Sequence, residues 1–276
     1  MKKSVTLISL LPLLISCGGA KEFTCLAMGG EGVPVGQYTQ KILKYFELDE
    51  AKLANAGLIT YGKDVKEVTS QVKESLVSAG IIYQTDAFSA KLEVVDTATK
   101  EMCGQVIYPA AVTKLSSNYD ASVSFLSYLQ SEAALSVFES VGFSRVSEAK
   151  SETAQVERNV ELKIYAAASL TETLNSIKST YEASHSNITL TMNYGSSGAL
   201  QTQIENGAVG DCDLFISAGQ KQMNALDNED KNLIYHETRI DLLENKVALA
   251  VPDGNPCAIT SFSILKDKLV EALNKK

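Results

Sequence analysis

Apolar residues along this chain fall into two recurring patterns. Short runs of four or five, bounded by turn residues, alternate with longer stretches where apolar positions return every three or four residues. The first pattern predicts buried strands and the second predicts helices. In the first half, FTCLA (23–27), LITY (58–61), GIIY (80–83) and KLEVV (91–95) are predicted strands. Helical spacing fills 37–46 and 50–56. It also fills the stretch after Asp64, where Val65, Val68, Val72 and Leu76 share a face and Asp64 suits the cap. A short helix opens at QTDAFSA. QVIYPAAV (105–112) reads as extended, and Pro109, which has no N–H for a ladder, suits an edge or a crossing strand. Two amphipathic helices, 118–129 and 132–141, end at Gly142. A polar stretch follows, SEAKSETAQVERN (147–159), and reads as a linker. Residues 161–219 then run strand, helix, strand, helix, strand. A helix at 220–226, an extended run at 245–252, a DGNP turn and a helix at 261–273 complete the chain.

Repeated strand–helix alternation is the signature of a helix-covered sheet with parallel strands. Two such blocks flank the polar linker, and each contains one long extended segment. The fold class expected is therefore α/β, with two lobes joined by crossing hinge strands. Ligands of such folds lie in the crevice at the C-terminal ends of the strands.

The strand-to-helix turns are accordingly the candidate chemistry. They contain Ser169 in AAASLTE, Ser196 and Ser197 in YGSSGAL, and Val35 beside Gly36 in GEGVPVGQY, where Pro34 suits a helix start. Asp64 and Val65 form another, and Tyr83 ends a strand. Such turns offer hydroxyls, backbone N–H groups and the positive end of a helix dipole, which together suit an anion. Neither serine turn contains Lys or Arg, so the donors are neutral. A site made only of donors selects fully deprotonated oxyanions, because a protonated one brings an O–H that finds no acceptor. Each turn also has an ordinary use. Ser169 to Glu172 fits a capping box, Ser196 and Ser197 fit a plain helix start, and Tyr83 fits a half-buried sheet aromatic.

Composition narrows the class. The chain has 276 residues, 45% hydrophobic and 21% charged, with a net charge of −8. An acidic surface argues against nucleic acid and requires any anion to be captured by local donors. No G-x-S-x-G elbow, H-E-x-x-H, P-loop or CxxC occurs, and the two histidines, His185 and His236, sit in polar contexts expected at the surface. Catalysis, cofactors and metal ligation are therefore not expected. Lys2 and Lys3 precede an apolar run, 5–15, and then Leu14-Ile15-Ser16-Cys17. This predicts a signal peptide at 1–16, lipidation of Cys17 and a tether at 17–22, placing the protein outside the cytoplasmic membrane. Cys25, Cys103, Cys212 and Cys257 remain, and four cysteines allow three pairings. Cys25 with Cys257 is favoured, since both flank segments of one lobe.

AAASLT, SSGALQTQIENGA and DLFISAGQKQM resemble the first half of the molybdate-binding proteins of bacterial ABC importers. GEGVPVGQY, the KDVKEV segment and GIIYQTDA are similar to that family's second half, and SYLQSEAALSVFESVGF to its C-terminal helices. The resemblance spans nearly the whole mature chain, but the halves stand in reversed order. It implies a circularly permuted, two-lobed periplasmic-binding-protein type II fold, each lobe a helix-covered mixed sheet. One lobe would comprise 23–97 plus 253–276 and the other 104–251, with 147–160 bridging the family's usual termini. By the same resemblance the oxyanion ligands fall on Ser169 and Ser197 from one lobe and on Val35, Val65 and Tyr83 from the other. Val35 stands where the family's alanine is expected, and since the backbone is the donor there the effect should be small. The implied partners are molybdate or tungstate, a membrane permease and the membrane itself through the Cys17 lipid; a monomer is expected. The alternatives are a binding protein for sulfate or phosphate, or an exported sensor or enzyme on the same scaffold.

Overall fold

The computed structural model describes residues 20–150 and 158–276. The predicted signal peptide, Cys17 and the middle of the predicted bridge lie outside the described residues. In chain order the elements are β1 (Leu26–Gly29), α1 (Pro34–Tyr45), α2 (Glu50–Asn55), β2 (Ile59–Gly62), α3 (Val65–Lys73), β3 (Ala79–Tyr83), α4 (Gln84–Ala90), β4 (Glu93–Thr97), α5 (Lys100–Cys103) and β5 (Val106–Val112). They continue with α6 (Tyr119–Tyr128), α7 (Glu132–Glu139), β6 (Ser144–Arg145), β7 (Val160–Ala167), a 3-10 turn (Ala168–Leu170), α8 (Thr171–Ser184), β8 (Ile188–Gly195), α9 (Ser197–Glu205) and β9 (Leu214–Ile216). The last are α10 (Gln220–Leu226), a second 3-10 turn (His236–Thr238), β10 (Ile240–Asn245), β11 (Val247–Val251) and α11 (Phe262–Asn274).

The strands form two mixed sheets, ordered β2-β1-β3-β11-β4 and β6-β10-β5-β9-β7-β8. In the first, β1 runs parallel to β2 and β3, and β11 runs antiparallel to β3 and β4. In the second, β7 runs parallel to β8 and β9, while β5 runs antiparallel to β9 and β10. Each lobe thus has a parallel part that carries strand-to-helix turns and an antiparallel strand contributed by a crossing. The chain leaves the first sheet after β4, passes through α5 to β5, and returns between β10 and β11.

Local sequence accounts for the helix starts that matter at the cleft. Pro34 occupies the first turn of α1, where its missing N–H costs nothing. Asp64 caps α3 by accepting from the Glu67 N–H at 2.9 Å, and Ser196 caps α9 by accepting from the Ala199 N–H at 3.3 Å. β3 (AGIIY) and β11 (VALAV) are buried along their whole length, as strands covered on both faces require.

Three expectations are corrected. The second lobe was expected to run through 251, but β11 pairs with β3 and β4 in the first sheet, so the return crossing falls at Lys246. Its unbroken apolar run finds its burial between those two strands. Pro109 lies in a crossing strand, one of the two places that suit it: β5 comes over from the first sheet and sits inside the second between β9 and β10, where Pro109 faces Asp241 at a β-bulge in β10. The Pro109 carbonyl accepts from the Ser217 N–H at 3.0 Å, one residue past the end of β9, so the missing N–H falls on the side where that ladder ends. His185 is buried, stacked on the Tyr181 ring with centroids 4.0 Å apart, while the neighbouring Ser184 and Ser186 face outward. His236 is exposed as expected and pairs with Asp227. Cys25 and Cys257 are free thiols, as are Cys103 and Cys212. The Cys257 thiol instead meets the Ser78 hydroxyl at 3.4 Å.

Helix α1 lies very close to the end of β1. A Cβ at Gly36 would stand 2.2 Å from the Gly29 carbonyl oxygen, and both clashing groups are backbone. Gly36→Ala should therefore destabilise the protein by about 1–3 kcal/mol or more. Urea unfolding checks this, and an unshifted midpoint would show that α1 can retreat without loss.

Candidate functional site

The C-terminal ends of the strands in both sheets face one cleft. From the first lobe come Val35 in the first turn of α1, Val65 opening α3, and Tyr83 ending β3. From the second come Ser169 in the 3-10 turn after β7, and Ser197 opening α9 after β8. All five residues line a single cavity, together with Ser196, Ala218 and their neighbours. All five are buried. The cavity gives the centre of a water-sized sphere about 10 Å³, close to the least that holds one water. That space suits a ligand of a few atoms rather than a sugar or a peptide.

The ordinary reading of Ser169 as a cap does not hold. The first residue before α8 is Leu170, with no side-chain cap bond, and the Ser169 hydroxyl instead meets the Tyr108 hydroxyl of β5 at 2.9 Å. Ser197 accepts the Ala218 N–H at 3.0 Å, which leaves its own hydrogen for another partner. The Tyr83 hydroxyl donates weakly, at 3.4 Å, to the Ala218 carbonyl across the cleft. Burial pushes the Tyr83 phenol well above its ordinary range, and the neighbouring Tyr108 and Tyr38 add to this, so it remains a donor at any physiological pH. The first N–H groups of α1, α3 and α9 have no acceptor within their own helices and carry the positive dipole ends.

The two lobes touch around this cavity. The Gly198 N–H donates to the Gly32 carbonyl at 3.0 Å. A Cβ on Gly198 would lie 2.4 Å from that same oxygen, so only glycine allows the approach. Lys66, one residue beyond Val65, reaches Asp86 of α4 at 3.1 Å and Glu172 of α8 on the other lobe at 2.7 Å. Its charge is therefore matched by two carboxylates and does not face the cavity unpaired. Burial works against the Lys66 ammonium, yet Asp86 and Glu172 outweigh it and hold its pKa above the usual lysine value. Lys66, Asp86 and Tyr108 were not singled out from sequence, and Glu172 only as the end of a capping box. Their pairings join distant segments, and the only local signal was the position of Lys66 beside a candidate ligand. Among the described residues no group of His, Cys, Asp and Glu could hold a metal ion, and no helix is long and apolar enough to cross a membrane.

Asp86 is fully buried, and its carboxylate has the Lys66 ion pair but no hydrogen bond. Burial drives its pKa up to about 6, against the opposing pull of Lys66. A carboxyl raised in the folded state binds its proton more readily there than in the unfolded chain. Its contribution is thus present in acid and is lost as pH rises through the folded value. The melting temperature of the wild type minus that of Asp86→Asn should fall between about pH 4 and about pH 7. A difference that stays level over this range would show that burial does not dominate at Asp86.

A sequence model for bacterial extracellular solute-binding proteins matches residues 20–144 and 162–273. Bacillus subtilis YvgL, named as an ABC transporter substrate-binding lipoprotein, is 38% identical over 115 residues, 41% of this chain and 43% of the relative. The Haemophilus influenzae molybdate-binding protein ModA is 35% identical over 114 residues, with the same shares of each chain. The chain therefore spans less than half the length of these relatives. Among solved structures, a phosphate-binding protein of a phosphate ABC transporter from Streptococcus pneumoniae aligns over 92% of this chain and 99% of its own, with TM-score 0.55 and 12% identity. A substrate-binding domain of a molybdenum ABC transporter from Clostridium difficile is 60% identical over 24% of this chain and 28% of its own, with TM-score 0.23. The two-sheet, helix-covered architecture is that of the periplasmic-binding-protein fold, and the chain belongs to the bacterial extracellular solute-binding proteins.

Proposed function

We propose that this protein captures molybdate, and tungstate with it, between its two lobes and delivers the ion to an ABC permease. The observation that carries the reading is the cavity itself. Five residues from four helix-opening turns and one strand end, separated widely in sequence, meet around a space for one small ligand. Ser169, Ser197 and Tyr83 bring hydroxyls, Lys66 beside Val65 is already paired, and the Asp64 carboxylate that also lines the cavity is engaged in capping α3. A tetrahedral dianion needs several donors and no acceptor, and each bond to such an acceptor contributes about 1.5–3 kcal/mol. An ion touching both lobes favours the closed arrangement by population shift. The similarity to ModA supports molybdate as the ion.

The permuted order belongs to the same reading. Residues on either side of the proposed bridge, Ser144–Arg145 and Val160–Ala167, lie in one sheet with β10, β5 and β9 between them, a gap the intervening chain is long enough to cross. The two segments of the split lobe also meet: Lys275 pairs with Glu22 at 3.4 Å, and the Lys21 N–H donates to Pro256 at 2.7 Å. A match confined to one block of each relative is what a reordered chain gives. Lipidation at Cys17 would hold the protein outside the cytoplasmic membrane beside its permease.

Calorimetric titration of the protein with molybdate, tungstate, sulfate and phosphate tests the ion. Binding of the first two alone is the expected result. Preference for sulfate or phosphate would keep the oxyanion site and change the transported ion, and binding of none would overturn the reading. Ser197→Ala and Tyr83→Phe should each weaken molybdate binding about ten- to hundred-fold with the fold intact. Val35→Ala should leave affinity nearly unchanged, since its backbone is the donor. Gly198→Ala should weaken binding by holding the lobes apart, and small-angle scattering that shows normal closure in this variant would refute the contact's role.

A further inference from the structure

Asn245 ends β10 at the return crossing and is buried. Its side-chain carbonyl accepts the Lys246 N–H at 2.8 Å, which fixes the direction of the amide. The Nδ2 group then faces Thr85 Oγ1 at 2.9 Å and the Tyr108 hydroxyl oxygen at 3.2 Å. An amide NH₂ can only donate. The Tyr108 oxygen therefore accepts from Asn245. Tyr108 is fully buried, and burial keeps its phenol protonated. Its own hydrogen needs an acceptor, and the Ser169 oxygen is there at 2.9 Å. That spends a lone pair of Ser169 on Tyr108. The Ser169 hydrogen has no protein acceptor among the described residues and is left for the cavity that Ser169 lines.

We infer that Tyr108 is a positioning residue, oriented by Asn245, which makes Ser169 a donor to the bound ion and thereby sets the preference for fully deprotonated oxyanions. The inference rests on the oxyanion reading above and adds to it the origin of selectivity. The chain of polarity runs Asn245 N–H to Tyr108 oxygen, Tyr108 O–H to Ser169 oxygen, and Ser169 O–H to the ion. Without the Tyr108 hydroxyl, Ser169 regains a free lone pair and can turn either way. It can then accept the O–H of a protonated anion, which the native site refuses.

The test uses Tyr108→Phe, which keeps the ring packed edge-on against Tyr83 and Phe143, at 5.7 Å and 5.3 Å between centroids. Affinities for molybdate and for hydrogen phosphate are measured at one pH for wild type and variant, phosphate by displacement of molybdate. Molybdate affinity should fall about ten-fold while phosphate affinity falls less or rises, so that the ratio narrows by at least several-fold. Asn245→Ala, which frees Tyr108 to turn, should narrow the ratio in the same direction and by less. A purely structural role would weaken both ions equally, and an unchanged ratio in a folded Tyr108→Phe would overturn the inference while leaving the oxyanion reading in place. A folded wild type that binds neither ion would instead overturn the oxyanion reading, and this inference with it.

Discussion

A hydroxyl group has one hydrogen, and in this protein the hydroxyls at the cleft have its direction chosen for them by the surrounding backbone and side chains. The Ala218 N–H occupies the oxygen of Ser197, and Tyr108 lies against that of Ser169. A buried N–H without an acceptor costs about 1–3 kcal/mol, so the Ala218 N–H holds the Ser197 oxygen before any ligand arrives. On the proposed reading, pre-set direction is what lets neutral groups serve as an anion site. Little would have to reorganise when the ion entered, and an ion of the wrong protonation state would meet hydrogens where it needs lone pairs.

Charge is arranged to leave that discrimination intact. A free lysine beside the cavity would attract any anion in proportion to its charge, whatever its protonation. Lys66 lies one residue from Val65 but is held by Asp86 and Glu172. The positive character left at the cavity comes from helix N-termini, each about half a charge and fixed in direction. Lys66 therefore contributes to joining the lobes, through Glu172.

Much of the fold was legible because its strands are short apolar runs and its helices carry regular spacing. The exceptions have physical causes. β10 (IDLLEN) went unread because it mixes Asp and Glu with Leu and shows no clean alternation of burial. His185 looked exposed because its sequence neighbours are polar, while the aromatic rings around it come from α6 and its own helix. At the cleft, the turns could be found locally, and the resemblance named five positions within them. The partners Tyr108, Asn245 and Glu172 could not, because each contact joins segments that meet only after both lobes have folded.

The position of β11 also dictates an order of events during synthesis. The second sheet is complete once Asn245 has been made, and its strands lie in one continuous stretch of chain. The first sheet begins with β1 but lacks its fourth strand until β11 emerges, and β11 sits between β3 and β4. Until then β3, five buried residues in the finished protein, presents an open apolar edge. Loop closure over so long a separation is slow, and unpaired edges of this kind invite aggregation. The lobe that carries the earliest of the described strands is thus the last to be completed. The half-made β3 edge is the surface a holding chaperone would have most reason to cover.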